Sequence, residues 1–373
     1  MEYDRASYQC FHPLGLEWPC LSFDILRDDL GAPRTTFPFT QYMVAGTQAP
    51  NPRGQLLSIV KLDKMGQGKH GDKAKQKGDS EDEDGMSDSD DEDEDEPPVM
   101  HHRQIAHPGG VNRVRAMPQQ PSVVATWSEK GTVQVYDVAA QLTELNQEAP
   151  GKSKGKKTPI YKVQPMQTFR GHTNEGYAVD WSPVSAGLMA TGDCNNAIHI
   201  WEPTDGSGWA VDSSPCSSHG GSVEDIQWSP TEADVFVSCS VDRHIFVWDK
   251  RQRSAPMLKV HAHEADVNVV SWNRSTSYML ASGGDDGTLR IWDLRNFTSS
   301  EFVAHFKHHR AAVTSVEWCP HEASMLATTS ADNQTIVWDL ALERDPEEEA
   351  AMAADMEALG SNAAAPAEIP PQL

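Results

Sequence analysis

The feature that most narrows the choice of fold is a frame of side chains repeated four times at constant spacing. His172, His219, His263 and His309 each stand 29 residues before Trp201, Trp248, Trp292 and Trp338. Ten residues before each of those tryptophans is a hydroxyl, Thr191, Ser238, Ser282 or Thr328, and six before it is Asn195, Asp242, Asp286 or Asp332. A further tryptophan lies 20 residues before the outer one each time, at positions 181, 228, 272 and 318. The intervening runs, such as VEDIQW, DVFVSCS and HIFVWD, are short, β-rich and separated by turn residues, the pattern of strand–turn–strand. A carboxylate buried in a tight turn is costly unless paired. The imidazole, hydroxyl and indole N–H at this spacing can supply its partners as one satisfied network. The frame therefore assigns these side chains to structure rather than to catalysis.

The sequences WDK at 248–250 and WDL at 292–294 and 338–340 resemble the signature of the WD repeat. The outer tryptophans are 47, 44 and 46 residues apart, close to the ~40–45 residues of one four-stranded propeller blade. The resemblance implies an all-β fold, a WD40 β-propeller, of seven blades in the related families.

At 373 residues the chain exceeds one ordinary domain, but a propeller grows by repetition and escapes that prior. The net charge is −24. Thirteen of those charges lie in one run: Asp79, Glu81, Asp82, Glu83, Asp84, Asp88, Asp90, Asp91, Glu92, Asp93, Glu94, Asp95 and Glu96. The remainder still carries about −11, so the surface repels phosphates and favours basic partners, which argues against direct nucleic-acid binding. Six cysteines (10, 20, 194, 216, 239 and 319) form no CxxC pair and read as reduced thiols of a cytosolic or nuclear protein. No apolar run approaches the length of a membrane span, and no signal peptide opens the chain.

Residues 1–15 are expected to form an N-terminal helix ended by Pro13, and 16–340 the propeller. LEWPCLSFDIL then reads as strand-like, and 37–48 and 54–62 alternate as a hairpin would. This tract resembles the N-terminal part of the retinoblastoma-associated histone-binding WD proteins. The resemblance implies a helix before the propeller and a Trp-Pro-containing strand docked on the last blade. Residues 64–98, first Lys/Gly-rich and then acidic, read as a disordered insertion. Gly66, Gly68 and Gly71 match G-x-G-x-x-G only formally, with no βαβ unit around them. Ser80 and Ser89, each followed by acids, suit an acid-directed kinase, whose phosphate adds ~1.5–2 negative charges.

His107 to Asp137 is a degenerate copy of the frame: Tyr136 replaces the outer Trp, Ala116 the inner one and Lys130 the acid, while Thr126 keeps the hydroxyl. Residues 138–164 read as a loop whose basic stretch, GKSKGKK at 151–157, has the composition of an import signal or a solvated linker. The acidic, Ala-rich tail spans 341–373. One blade over 37–106, one degenerate and four regular make six, one fewer than in the related families, so a truncated product is expected.

Nucleophilic and metal chemistry lack their motifs, and no cofactor is expected; function must come from the loops of the scaffold. Just after each repeat His, where the first strand of a blade enters the central channel, stand Asn112 and Arg113, Glu175 and Tyr177, Glu224, Asp266 and Asn268. Such carboxylates and amides can hold Lys or Arg side chains of an extended peptide; ordinary solvated loop charge is the plain alternative. In the histone-binding WD proteins the matching positions bind a histone tail, though Gly110 and Ala312 fall where those relatives carry acids. A second histone-helix site in that family would map onto residues 2–11, 347–349 and Pro370-Pro371.

Taken together, WPCLSFDILRD, VNRVRAMPQ, the acidic run, WSEKGTVQVYD, GHTNEGYAVDWSP, TGDCNNAIHIWEPTDG and ALERDP most resemble the glutamate-rich WD-repeat protein family. That resemblance implies a non-enzymatic nuclear and nucleolar role in ribosome biogenesis, chaperoning a basic large-subunit ribosomal protein, with histone binding through the acidic run. A competing expectation comes from WDKR at 248–251 and WDLR at 292–295. Both match the WDxR box of substrate receptors of cullin-type ubiquitin ligases, making Arg251 and Arg295 candidate adaptor contacts.

Overall fold

The computed structural model describes residues 10, 12, 14–31, 34–66, 98–147, 159–206, 208–299 and 301–341. Within them the chain forms six antiparallel sheets arranged as the blades of a propeller. Blade one holds β1 (Cys20–Leu26), β2 (Phe39–Thr47), β3 (Leu56–Met65) and β4 (Val99–Ala106), and blade two holds β5 (Val111–Met117), β6 (Gln120–Ser128) and β7 (Thr132–Asp137). After β7 come α1 (Ala139–Gln147), β8 (Ile160–Tyr161) and β9 (Gln167–Phe169), the last completing blade two. Blade three is β10 (Ala178–Trp181), β11 (Met189–Gly192), β12 (Ile198–Pro203) and β13 (Trp209–Val211). Blade four is β14 (Val223–Trp228), β15 (Val235–Ser240), β16 (His244–Asp249) and β17 (Leu258–His261). Blade five is β18 (Val267–Trp272), β19 (Met279–Gly284), β20 (Leu289–Asp293) and β21 (Ala304–Phe306). Among the described residues blade six has three strands, β22 (Val313–Trp318), β23 (Met325–Ser330) and β24 (Thr335–Asp339).

The repeated frame forms a closed hydrogen-bonded set in each regular blade. In blade four the Trp248 indole donates to Ser238 Oγ at 2.8 Å, His219 Nε2 lies 2.7 Å from the same oxygen, and His219 Nδ1 lies 2.9 Å from Asp242 Oδ2. Only the neutral tautomer carrying its proton on Nδ1 satisfies all three: the hydroxyl accepts from the indole, donates to Nε2, and Nδ1–H donates to the carboxylate. Asp242 Oδ1 in turn accepts the His244 amide at 3.0 Å, which shapes the turn between the second and third strands. Burial works against the Asp242 charge, yet His219 and the Gly220 and His244 amides hold the carboxyl down to about 2. Blades five and six repeat the set through His263, Ser282, Asp286 and Trp292, and through His309, Thr328, Asp332 and Trp338.

Blade three corrects one expectation. Asn195 is not the acid-position member; His172 Nδ1 pairs with Asp193 Oδ2, two residues earlier. The turn there is built differently. Asp193 Oδ1 accepts the amides of both Asn195 and Ala197 at 2.9 Å, and Asn195 is turned outward to Thr173. In the degenerate blade two, where Lys130 holds the acid position, His107 Nδ1 meets the Gly109 carbonyl at 2.7 Å and Nε2 meets Thr126 Oγ1 at 3.0 Å. Without a carboxylate partner its burial is uncompensated, and its pKa falls to about 4.

Two further readings are revised. LEWPCLSFDIL does not dock on the last blade. Its β1 pairs with β2 as the innermost strand of blade one, so that blade begins well before residue 37. Residues 138–164 are not simply a loop. They carry α1, whose buried Leu145 joins a core with Leu57, Ile59 and Ile105, and β8, which pairs in parallel with β4 of blade one. Glu144 fastens this strap by accepting from Tyr161 Oη at 2.5 Å and Arg103 Nε at 3.1 Å. The N-terminal helix falls almost wholly outside the described residues. The acidic run with Ser80 and Ser89, the basic stretch at 151–157, residues 347–349 and Pro370-Pro371 lie outside them altogether.

A second regularity joins the blades. The innermost strands pack pairwise, β1 on β5, β5 on β10, β10 on β14, β14 on β18 and β18 on β22. At most seams a side chain of one inner strand accepts a backbone N–H from the next. Asp24 Oδ2 takes Ala116 N at 2.8 Å, Asp180 Oδ2 takes Trp228 N at 2.8 Å, Gln227 Oε1 takes Trp272 N at 2.7 Å and Ser271 Oγ takes Trp318 N at 3.2 Å. These amides point out of their own sheets, and the relay satisfies them. Between blades two and three Arg115 occupies the acceptor place, and the polarity reverses: Asn112, Arg113 and Trp127 donate to the carbonyls of Gly176, Tyr177 and Ala178. Away from these seams, blade one exposes Leu21, Phe23 and Ile25, at 55%, 57% and 47%, and blade six exposes Val337 at 65%.

Candidate protein-binding site at the channel entrance

The start of each inner strand places its first polar side chains around one end of the channel. On the blade one to three side these groups bind one another. Gln48 Nε2 donates to Asn112 Oδ1 at 3.3 Å, and Asn112 Nδ2 donates to Glu175 Oε2 at 3.0 Å. Arg113 is turned inward, its Nε on the Tyr177 carbonyl at 3.0 Å. Burial and the neighbouring Arg115 lower its pKa, against the pull of Asp225 and Glu224. Asn112, Arg113 and Glu175 therefore build the rim more than they offer it to a ligand.

On the opposite side the acids are less engaged. Glu224 is half-buried, and burial raises its pKa, with Asp266 adding to the rise and Arg113 opposing it. Asn268 donates to Asp285 Oδ1 at 2.7 Å and to the Val313 carbonyl at 3.1 Å. Tyr177 borders this pole; burial raises its phenol, as do Glu175 and Glu224. Glu224, Asp266 and Asp285 thus form an anionic edge able to receive a guanidinium or ammonium group by charge-assisted hydrogen bonds. Asp285 and Gln48 were not among the expected rim residues. Asp285 immediately precedes Asp286 of the repeated frame, so its place in the same turn was readable. Gln48 follows directly on the end of β2, far off in sequence, and nothing local marks it.

Below the rim the channel wall carries Arg115, with carboxylates reaching it from four other blades: Asp24, Asp180, Asp225 and Glu317. Burial works against the Arg115 charge, but these four acids raise its pKa above the ordinary arginine range. Sequence spacing gave no sign of this convergence, because its members are joined only by ring geometry.

Arg251 and Arg295 lie on the outer surface, with side chains 71% and 65% exposed. Each folds back as a fork onto the aspartate two residues before it, Asp249 and Asp293, and Arg295 also sits 3.7 Å over the Tyr278 ring. Among the described residues no group of three or more His, Cys, Asp or Glu side chains is arranged to hold a metal ion. An apolar groove of about 600 Å³ on blade one, lined by Leu14, Leu16, Trp18, Phe23 and Met43, shares no residue with the rim.

Comparison with known proteins places this architecture. Residues 163–202, 212–249, 254–293 and 300–339 match the WD domain, G-beta repeat, and residues 1–65 match the family described as histone-binding protein RBBP4 or a component of the CAF1 complex. Over 381 residues the chain is 47% identical to Protein HEAT STRESS TOLERANT DWD 1 of Arabidopsis thaliana, a match covering 100% of this chain and 80% of that protein. It is 43% identical over 253 residues to Glutamate-rich WD repeat-containing protein 1 of Dictyostelium discoideum, covering 68% of this chain and 51% of the relative. The chain belongs to the glutamate-rich WD-repeat family. Ribosome assembly protein rrb1 of Schizosaccharomyces pombe is 38% identical over 277 residues, 72% of this chain and 53% of that protein. The matches to these last two thus span about half of each relative. The glutamate-rich WD-repeat chain is accordingly related to ribosome-assembly and histone-binding families.

Proposed function

We propose that this protein is a non-enzymatic chaperone and assembly factor for basic proteins, a large-subunit ribosomal protein or histones, acting in the nucleus and nucleolus. The observation that carries the reading is the anionic edge of Glu224, Asp266 and Asp285 at the mouth of a rigid channel. A basic segment laid across the mouth can be gripped there, while the run from Asp79 to Glu96 supplies a second, sequence-local polyanion. Two weak modules on one chain raise avidity by effective concentration, and the charge speeds encounter. Nucleic acid is repelled by the same charge. Support comes also from the match of residues 1–65 to a histone-binding family and from the relative named a ribosome assembly protein.

The test is a pull-down of purified core histones and ribosomal proteins at ~150 mM salt, where surface charges are screened beyond ~8 Å. It compares the full chain, a form lacking 79–96, and Glu224→Gln/Asp266→Asn. Additive losses are expected; binding that survives all three changes removes the reading. Fluorescent tagging should place the protein in nucleoli, and exclusion from the nucleus would count against it.

A second reading, a ubiquitin-ligase substrate receptor, is favoured by the two exposed WDxR arginines and by the letters DWD in the name of the Arabidopsis relative. Arg251→Ala/Arg295→Ala should abolish co-precipitation of a cullin adaptor if that role operates. An unaltered adaptor interaction removes it.

A further inference from the structure

The relay between blades uses an acid where a neutral group suffices. Gln227 and Ser271 accept the amides of Trp272 and Trp318 with uncharged oxygens, and Asp180 does the same for Trp228 with a carboxylate. Its charge is therefore not needed by the seam. Asp180 lies beside the place where the relay is interrupted by Arg115. On its own sheet it pairs with Ala190, which brings no ionisable group. From β5 it is faced by Arg115, from β14 by Asp225 and from the turn after β18 by Arg274. Glu224 and Arg113 stand above this cluster, each interacting with Asp225, while Asp24 and Glu317 close on Arg115 from β1 and β22. With every acid below the rim ionised, Asp24, Asp180, Asp225 and Glu317 outnumber Arg113, Arg115 and Arg274. The surplus is one negative charge, held in a narrow, protein-lined space directly behind the anionic edge.

We propose that Asp180 is a proton switch for the channel-entrance site. Protonated, it balances the channel wall and leaves only the rim acids to hold a basic side chain. Ionised, it adds one negative charge behind Glu224 and Asp266 and tightens their grip. Either form can keep the Trp228 amide, because the second carboxyl oxygen can carry the proton. Burial pushes the Asp180 carboxyl up to about 7, opposed by the Trp228 amide and Arg115 and assisted by Asp225, so its charge changes near neutrality. The acidic run contributes no such dependence, since solvated carboxylates titrate well below this range. The inference rests on the rim acting as a site for basic segments.

Asp180→Asn provides the test, because Asn retains an amide oxygen for Trp228 as Gln227 does for Trp272. Binding of a fluorescein-labelled, histidine-free peptide of mixed Lys and Arg to the full chain is measured by anisotropy at pH 6 and pH 8. One charge roughly 10 Å away through a partly aqueous path should change affinity about threefold. The native protein should therefore tighten about threefold more than Asp180→Asn between the two pH values. Parallel profiles overturn the proposal. A second arm follows urea unfolding of the same two proteins from pH 4 to pH 7. A group at 3.8 when unfolded and about 7 when folded lowers the unfolding constant about tenfold for each pH unit of acidification in that window, and only in the native protein. Identical slopes overturn the switch whatever the rim does. Failure of the rim itself is recognised separately, as peptide binding that Glu224→Gln leaves unchanged at both pH values.

Discussion

His172 Nδ1 lies 3.0 Å from Asp193 Oδ2, with both side chains fully shielded from solvent. Asn195, which holds the place of the acid in the repeat spacing, takes no part in this pair. Asp193→Ala should cost about 2–4 kcal/mol, since it strips the imidazole and two turn amides of their acceptor. Asn195→Ala should stay within about 0.5 kcal/mol. Urea unfolding of both variants decides the matter; equal losses would return Asn195 to the network.

Ser282 serves two partners at once, accepting from the Trp292 indole at 2.9 Å and lying 2.8 Å from His263 Nε2. Ser282→Ala should lower stability by about 2–4 kcal/mol, leaving both buried groups unsatisfied. Ser282→Thr should be tolerated within about 1 kcal/mol, because Thr191 and Thr328 do this work in blades three and six. The check is a shift in urea midpoint without a change of slope.

His107 carries a pH signature of its own. Its pKa is 6.5 when unfolded and about 4 in the folded blade, so between these values the unfolded chain binds the extra proton. Stability is then complete above pH 6.5 and is lost as pH falls toward 4, by up to about 3 kcal/mol. His107→Gln should flatten this part of the profile relative to the native chain, as measured by thermal unfolding from pH 7 to pH 4. Parallel curves would show that His107 titrates normally.

At the rim, Glu224→Gln and Asp266→Asn should each weaken binding of a Lys/Arg peptide by about 1 kcal/mol, roughly fivefold. Glu175→Gln should act less, because Glu175 is already engaged by Asn112. Titrations at two salt concentrations should also show a shallower salt dependence for the double variant. Equal effects from all three positions would mean that the rim acts as diffuse charge.

Much of the scaffold is legible because it is written at fixed spacing. Each regular repeat closes its network within one blade, so the histidine, hydroxyl and outer tryptophan can be read off without knowing the ring. The degenerate repeat is equally plain, since Lys130 cannot accept the proton that His107 Nδ1 must give. Where local turn geometry competes with spacing, spacing misleads, as at Asn195. The segment 138–164 reads as a loop because α1 and β8 depend on blade one, through Leu145 and the β4 edge, rather than on a pattern of their own.

By itself, then, the sequence determined the blade unit, its repetition and the chain's surplus of negative charge. The tertiary structure decided what lies between blades. Asp24, Arg115, Asp180, Asp225 and Glu317 are scattered over nearly 300 residues, and only closing the strands around one channel brings them together. The same closure ties Glu175 to Asn112 and leaves Glu224 and Asp266 as the anionic edge. Hydrogen bonds within a blade follow from local spacing; burial and charge balance depend on neighbours that only the ring supplies.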